Sequence, residues 1–251
     1  MSGAGRPSGR RVWLAPAYVL HQYAYRDTSR IVEVFTRDQG RLTLFARGAN
    51  GSKSALRGLL RPFQRLLVSW SGKSEACQLV SAEVDGPSTA LPRARLMSGF
   101  YMNELVLKLT ERCDPHPEIF LAYCACVEEL GRGGGEEESL RRFEKRLLDN
   151  LGYGLELSRT AQGEPVAADG YYRFQAEQGP ERCVADAPGA IYGRSLADLR
   201  DGSFADARSL KDAKRVLKAA LDACLDGRSL KSREVMRAMR RREPVRERGA
   251  P

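Results

Sequence analysis

Apolar and polar positions alternate along the first third of the chain, and the period lengthens to three and four from Pro92 onward. The alternating stretches are rich in β-branched and aromatic residues: Val12–Leu20, Ile31–Thr36, Arg41–Ala46, Leu66–Trp70 and Cys77–Val84. Side chains two apart share a face of a strand, so each stretch is expected to bury one face. Asp38-Gln39-Gly40, Gly48-Ala49-Asn50-Gly51 and Ser71-Gly72-Lys73 separate them with turn chemistry. Short antiparallel strands at this density predict a small closed barrel over residues 11–86. Ser54-Ala55-Leu56-Arg57-Gly58-Leu59-Leu60 predicts a short helix between the third and fourth strands. That order is the one found in an OB-fold, and an SH3-like barrel is the competing reading.

Residues 87–243 read as a mostly α-helical domain. Met97, Tyr101, Leu105 and Leu109 recur every four positions, with Leu96 and Phe100 beside them. A second helix is predicted from Pro117 to Leu130, with proline tolerated in its first turn. A third is predicted from Ser139, with Leu140, Phe143, Leu147 and Leu151 on one face and Gly152 ending it. Arg141, Arg142, Lys145 and Arg146 are placed opposite that face. Residues 155–207 lose periodicity and read as an irregular insertion, with Tyr171-Tyr172-Arg173-Phe174 as one short strand. Ser209 with Asp212 reads as a capping box opening the next helix. A last helix follows Asp226-Gly227 and carries Leu230, Val235, Met236 and Met239. Residues 1–10 are expected to be flexible and 244–251 disordered. The fold class is therefore α+β and multidomain: a five-stranded OB-fold barrel at the N-terminus, then a helical domain.

Composition allows a packed core, since 42% of the 251 residues are hydrophobic. No apolar run is long enough to span a membrane. With no signal-type stretch after the first ten residues, a cytoplasmic protein is expected. Charge sharpens the picture. Residues 1–80 hold 13 basic and 4 acidic side chains, and 208–248 hold 14 and 6. The middle, 81–207, holds 14 basic and 22 acidic side chains. Two cationic ends around an acidic centre fit a polyanion partner met from both sides, or two solvated arginine-rich faces that bind nothing.

Nothing in the sequence supplies enzyme chemistry. The six cysteines, Cys77, Cys113, Cys124, Cys126, Cys183 and Cys224, contain no CxxC pair. Cys124 and Cys126 are two apart, which on a helix sends them to different faces. They read as small buried hydrophobes. His21 and His116, the only histidines, lie outside any recognisable nucleophile arrangement. The glycines at 131 and 133–135 precede Glu136–Glu138, whose charge would repel a phosphate, so they read as a linker. Asp85, Asp114 and Asp169 are scattered and lack metal-ligand spacing. No catalytic residue, metal or cofactor is expected.

Ten strings carry a family resemblance: Tyr18-Val19-Leu20-His21, Asp27 to Val32 (DTSRIV), Val34-Phe35-Thr36, Ala46-Arg47-Gly48-Ala49, Lys53-Ser54, Gly58 to Phe63 (GLLRPF), Tyr101 to Leu105 (YMNEL), Leu140 to Glu144 (LRRFE), Leu148 to Tyr153 (LDNLGY) and Leu230 to Glu234 (LKSRE). In this order, across nearly the whole chain, they make it resemble the bacterial RecO recombination-mediator proteins. The resemblance implies binding to single- and double-stranded DNA and annealing of complementary strands. It also implies action on DNA coated by single-strand-binding protein, and loading of the RecA recombinase together with RecR. Many relatives carry a four-cysteine zinc module after the LGY segment. Here only Cys183 falls in 155–207, so zinc is expected to be absent and packing must replace it.

Under this reading the barrel's phosphate contacts are Arg26, Arg30, Arg37, Arg41, Arg47, Lys53, Arg57, Arg61 and Lys73, extended by Lys231, Arg233, Arg237, Arg240 and Arg241 on the last helix. Tyr23, Tyr25, Phe35 and Trp70 are candidate stacking platforms, against the plainer reading of core aromatics. The single-strand-binding protein's tail is acidic and ends in apolar residues with a free carboxylate. Its receptor needs an apolar groove and a guanidinium. Arg141, with Arg142 beside it and Phe120 and Phe143 lining the groove, is the candidate set. The alternative function is an RNA-binding OB-fold factor without a recombination role, which charge alone does not separate from a DNA-directed one.

Overall fold

A computed structural model describes residues 11–51, 54–72, 76–87 and 90–242, without the side chains of 240 and 242. The flexible and disordered ends expected at 1–10 and 244–251 lie outside the described residues, as do Lys53, Lys73 and the Arg240 side chain.

Five strands close into a barrel: β1 (Arg11–Tyr25), β2 (Ser29–Thr36), β3 (Gly40–Ala46), β4 (Arg65–Ser71) and β5 (Ala76–Val84), in the order β1-β2-β3-β5-β4. A four-residue helix, α1 (Leu56–Leu59), lies between β3 and β4 as the sequence predicts. The barrel closes through a short parallel pairing of β3 with β5, from Thr43↔Ala76 to Phe45↔Gln78. This is the OB arrangement. Closure leaves no open sheet edge. The alternating inward side chains Val19, Val32, Val34, Leu44, Leu66, Val68, Trp70 and Leu79 fill the interior. Strand β1 runs longer than predicted because its C-terminal half pairs with β2 while its N-terminal half pairs with β4.

The helical part packs against one side of the barrel. Its helices are α2 (Leu96–Leu109), α3 (Pro117–Gly131), α4 (Glu136–Asn150), α5 (Gly193–Asp201), α6 (Ala207–Leu225) and α7 (Lys231–Arg242). Barrel residues Tyr18, Leu20 and Phe35 belong to the helical core. Tyr18 meets Tyr123 edge-on at 5.0 Å, and Phe35 meets Phe120 at 5.5 Å. Polar ties reinforce this seam. Asn103 Nδ2 donates to the Leu20 carbonyl at 2.9 Å, and the Tyr123 hydroxyl donates to Asn103 Oδ1 at 2.6 Å. Buried Glu33 takes a hydrogen bond from Thr43 Oγ1 at 2.6 Å and pairs with Arg112 at 2.8 Å and Arg41 at 3.6 Å.

Three local expectations are corrected. Helix α4 starts at Glu136, not near Ser139. The glutamates form its first turn, where the positive end of the helix dipole favours carboxylates. Helix α6 is capped by Asp206, whose carboxylate accepts from the Ser209 N–H at 2.7 Å. Asp212 instead accepts from the Tyr192 N–H at 3.2 Å. Residues 155–207 are not irregular throughout. Strands β6 (Tyr171–Gln175), β7 (Gly179–Cys183) and β8 (Ile191–Tyr192) form a sheet in the order β7-β6-β8, followed by α5. Tyr172, Ile191, Leu196 and Leu199 bury into the main core alongside Val216 and Leu217 of α6. Gly193 is required where it stands, since a Cβ there would meet the Ala167 carbonyl oxygen at 2.0 Å.

Helix α7 is held by its N-terminus. Glu104 of α2 accepts from the Lys231 and Ser232 N–H groups, each at 2.9 Å, and from Ser232 Oγ at 2.6 Å. The YMNEL and LKSRE strings are thus the two halves of one interhelical cap. Among the described residues, no helix is long and apolar enough to cross a membrane.

Candidate nucleic-acid interface and peptide cleft

The outer face of β1-β2-β3 is covered at one end and open at the other. Phe35, Arg41 and Glu33 lie on the covered end, under the helical part. At the open end, His21, Tyr23 and Tyr25 follow one another at strand spacing. Tyr23 pairs with Ile31, which pairs with Phe45, so an apolar row crosses all three strands. Tyr23 is 47% exposed and Tyr25 38%, and Tyr25 meets Phe45 edge-on at 5.8 Å. The Arg26 guanidinium sits 5.3 Å from the Tyr25 ring centre. Arg30 reaches Asn50 Oδ1 at 2.5 Å and Gln22 Oε1 at 3.0 Å. Arg47 follows β3, is exposed, and pairs with no carboxylate among the described residues. Rings interleaved with guanidinium groups can stack bases and meet phosphates, which is what a single strand offers.

The other predicted cations divide sharply. Arg57 and Arg61 are exposed on and after α1, and Arg61 borders a shallow cleft of about 270 Å³ with Phe63 and Phe100. Arg37 is exposed and pairs with its neighbour Asp38 at 2.9 Å. Arg41 leaves the contact set. It is buried, donates to the Thr110 carbonyl at 2.7 Å and pairs with Glu33, so it fastens barrel to helix. Phe35 and Trp70 leave the platform set for the same reason, since both are buried in cores. On α7, Lys231, Arg237 and Arg241 are exposed. Arg233 is engaged: it pairs with Asp222, stacks 5.5 Å from the Tyr101 ring centre and donates to its hydroxyl at 3.3 Å.

A cleft of about 450 Å³ opens between α2, α4, α6 and α7. Met97, Leu140, Met236 and Met239 supply its apolar wall, and its rim mixes Lys214, Lys218, Arg233 and Arg237 with Glu136 and Glu137. Lys214 pairs with Glu137 at 3.4 Å, and Lys218 and Arg233 both pair with Asp222. Arg141 lines it too, although it is only 5% exposed. Its Nη2 meets Glu144 Oε1 at 2.6 Å, while its buried Nε has no hydrogen-bond partner among the described residues. The Tyr101 hydroxyl donates to the same carboxylate oxygen at 2.6 Å. Burial, and then the Glu144 charge, push the Tyr101 phenol well above its ordinary range, so it stays a donor. A guanidinium held by a buried carboxylate and short of one acceptor, beside a methionine-rich wall, suits an apolar segment that carries a carboxylate.

Of the predicted tail-binding set, Arg141 lines the cleft. Arg142 pairs with Glu129 at 3.2 Å and does not line the cleft. Phe120 and Phe143 are buried and stack in the helical core, Phe143 at 6.2 Å from Tyr123. They are therefore corrected from groove to core. Met97, Met236, Lys214 and Lys218 were missed. Lys214 and Lys218 lie four apart on α6, which puts them on one face, and that spacing was the available signal. Among the described residues, no group of three or more histidine, cysteine or acidic side chains is placed to hold a metal ion.

Two family models match the chain. The one described as recombination protein O N terminal covers residues 11–85, and recombination protein O C terminal covers 93–234. A DNA repair protein RecO from Azoarcus sp. (strain BH72) is 43% identical over 238 residues, spanning 92% of this chain and 97% of that protein. The protein of the same name from Alkalilimnicola ehrlichii is 44% identical over 239 residues, 93% of this chain and 94% of its own length. That from Aromatoleum aromaticum is 41% identical over 233 residues, 92% and 97% respectively. With barrel and helical part each matched, the chain belongs to the recombination protein O family of DNA repair proteins.

Proposed function

We propose that this protein is a recombination mediator that turns over no covalent bond. It binds single- and double-stranded DNA on the open barrel face and anneals complementary strands. It is brought to coated DNA by the tail of single-strand-binding protein, and with RecR it promotes RecA loading in the cytoplasm. The observation that supports the reading is one molecule with two unlike surfaces: exposed rings among guanidinium groups on an OB barrel, and a concave cleft whose apolar wall lies beside the Arg141 guanidinium and basic side chains. Two strands repel each other, and exposed cations lower that barrier by displacing counterions. The tail supplies acidic side chains for the rim, apolar residues for the methionines and a terminal carboxylate for Arg141.

The test is annealing of complementary strands precoated with the cognate single-strand-binding protein, with and without its free terminal peptide. Acceleration that the free peptide abolishes on naked DNA as well as on coated DNA would put strand and peptide on one site and count against the reading. The expected result is acceleration on both, with the peptide inhibiting only on coated strands. Stronger binding to matched RNA than to DNA would favour the RNA-directed alternative.

A further inference from the structure

Strand β1 exposes aromatic side chains at both ends, and the open face described above uses only the C-terminal one. At the other end, Trp13 is 59% exposed and Leu14 51%. Their neighbours Val12 and Ala15 pack against the barrel core, so both intervening side chains stand outside. The cause is a bulge. Pairing with β4 passes from Val12↔Trp70 to Ala15↔Val68, which sets two residues of β1 against the single Ser69. Leu14 adopts φ 51°, a left-handed conformation rare for a branched side chain, and its N–H donates to Ser69 Oγ at 3.1 Å. A second irregularity lies at the same level across β4. Val80 stands between the Ser69↔Ser81 and Trp70↔Leu79 pairs and is exposed. Backbone held in a sparsely populated conformation so as to display a tryptophan is the kind of strain that accompanies function.

Charge indicates the occupant. Arg11 is exposed two residues from Trp13. The exposed neighbours on β5 are Val80 and Ser81, while Ser69 of β4 is buried with its hydroxyl taken by the Leu14 N–H; Glu83 lies two pairs further along, opposite Leu67. An exposed indole with a guanidinium two residues away offers a base a stacking face and its phosphate a cation. The N-terminal half of β1 belongs to the β1-β4-β5 side of the barrel and the C-terminal half to the β1-β2-β3 side.

We propose that the bulged end of β1 is a second nucleic-acid contact, in which Trp13 stacks on a base of a strand other than the one held at Tyr23 and Tyr25. The proposal rests on the reading that the barrel binds DNA. It adds where the complementary strand is met before pairing.

The protein reports on itself, because Trp13 and Trp70 are its two tryptophans and Trp70 is buried. In the W70F protein, emission then comes from Trp13 alone. A single-stranded oligonucleotide should quench it, and the quenching should survive in Y23A/Y25A. W13A should fold normally by circular dichroism and bind a first strand within about twofold of the parent. It should anneal about tenfold more slowly, the size of one lost stacking contact, with W13F restoring the rate. Unquenched Trp13 in a protein that anisotropy shows saturated with oligonucleotide would overturn the proposal. So would W13A annealing at the parental rate, or self-association of the parent that W13A abolishes. If the parent bound no oligonucleotide at all, the reading of the barrel would fail first.

Discussion

The open barrel face and the helical cleft both gather positive charge, but they hold it differently. Arg47, just past β3, is exposed to solvent and pairs with no carboxylate among the described residues. Arg141 is buried against Glu144, and Arg233 lies over the Tyr101 ring. A solvated guanidinium acts through its charge, tolerates many ligand poses and is screened by salt. A buried one has its direction set beforehand and recognises one geometry. The barrel suits an irregular chain of phosphates, and the cleft suits one carboxylate on a short segment. Substitutions should therefore have graded effects on the barrel and abrupt effects in the cleft.

The sharpest way to break this contrast is Arg141→Ala. It leaves the Glu144 carboxylate buried without its cation, and loss of one partner of such a pair costs about 3–5 kcal/mol. Denaturant unfolding should show that loss. The double change R141M/E144M should recover most of the stability while failing to bind tail peptide by calorimetry and binding naked DNA normally. Recovery of peptide binding in the double variant would remove Arg141 from the site.

Next in size is Y23A/Y25A. Both rings are exposed, so stability should change little, while single-strand affinity should fall by about 1–3 kcal/mol per base no longer stacked. Anisotropy titrations would measure this, and peptide affinity should stay unchanged.

Glu104 gives a smaller effect and a pH dependence. Burial pushes its carboxyl up, but hydrogen bonds from the Ser232 hydroxyl and N–H and the Lys231 N–H, with the Lys108 ammonium nearby, outweigh burial and hold it below the usual carboxylate range. The folded value lies below the unfolded one. Its stabilisation is therefore complete above the unfolded value and is lost as pH falls through the folded one. Amide exchange in α7 should rise selectively in that acid window. At neutral pH, Glu104→Gln should reproduce it at a cost of about 1 kcal/mol, typical of a lost cap.

Smallest of all, Arg47→Glu should weaken DNA binding at low salt and reduce the slope of log affinity against log salt by about 1, leaving the cleft unaffected. An unchanged slope would place Arg47 outside the phosphate track.

Much of the fold was legible because local patterns and global packing agree. Inward positions such as Val32, Val34, Leu42 and Leu44 alternate cleanly, and the one helix between the third and fourth strands is the OB order. The 155–207 segment was not legible. Its strands have five, five and two residues, and its buried side chains are spread over positions 172, 191, 196 and 199 rather than forming a periodic stripe. The site was legible in kind but not in membership. Arg41 and Arg47 look alike in sequence, and they differ only because the helices cover one end of the outer sheet face. Phe143 shares a short string with Arg141, yet helical geometry turns the ring into the core while the guanidinium borders the cleft. Tertiary covering of this sort leaves no mark on the strand or helix period.

The seam between barrel and helices also sets a length. Asn103 grips the β1 backbone, and Glu33 is clasped by arginines from both parts, so the aromatic face and the cleft are welded at one separation. Under the proposed function, a coat protein whose tail rests in the cleft becomes a tether, and its linker must bridge that fixed gap for the same DNA to reach the tyrosines. Tail length would then set the effective concentration of strand at the barrel. Shortening the linker below the gap should abolish capture with every contact residue intact.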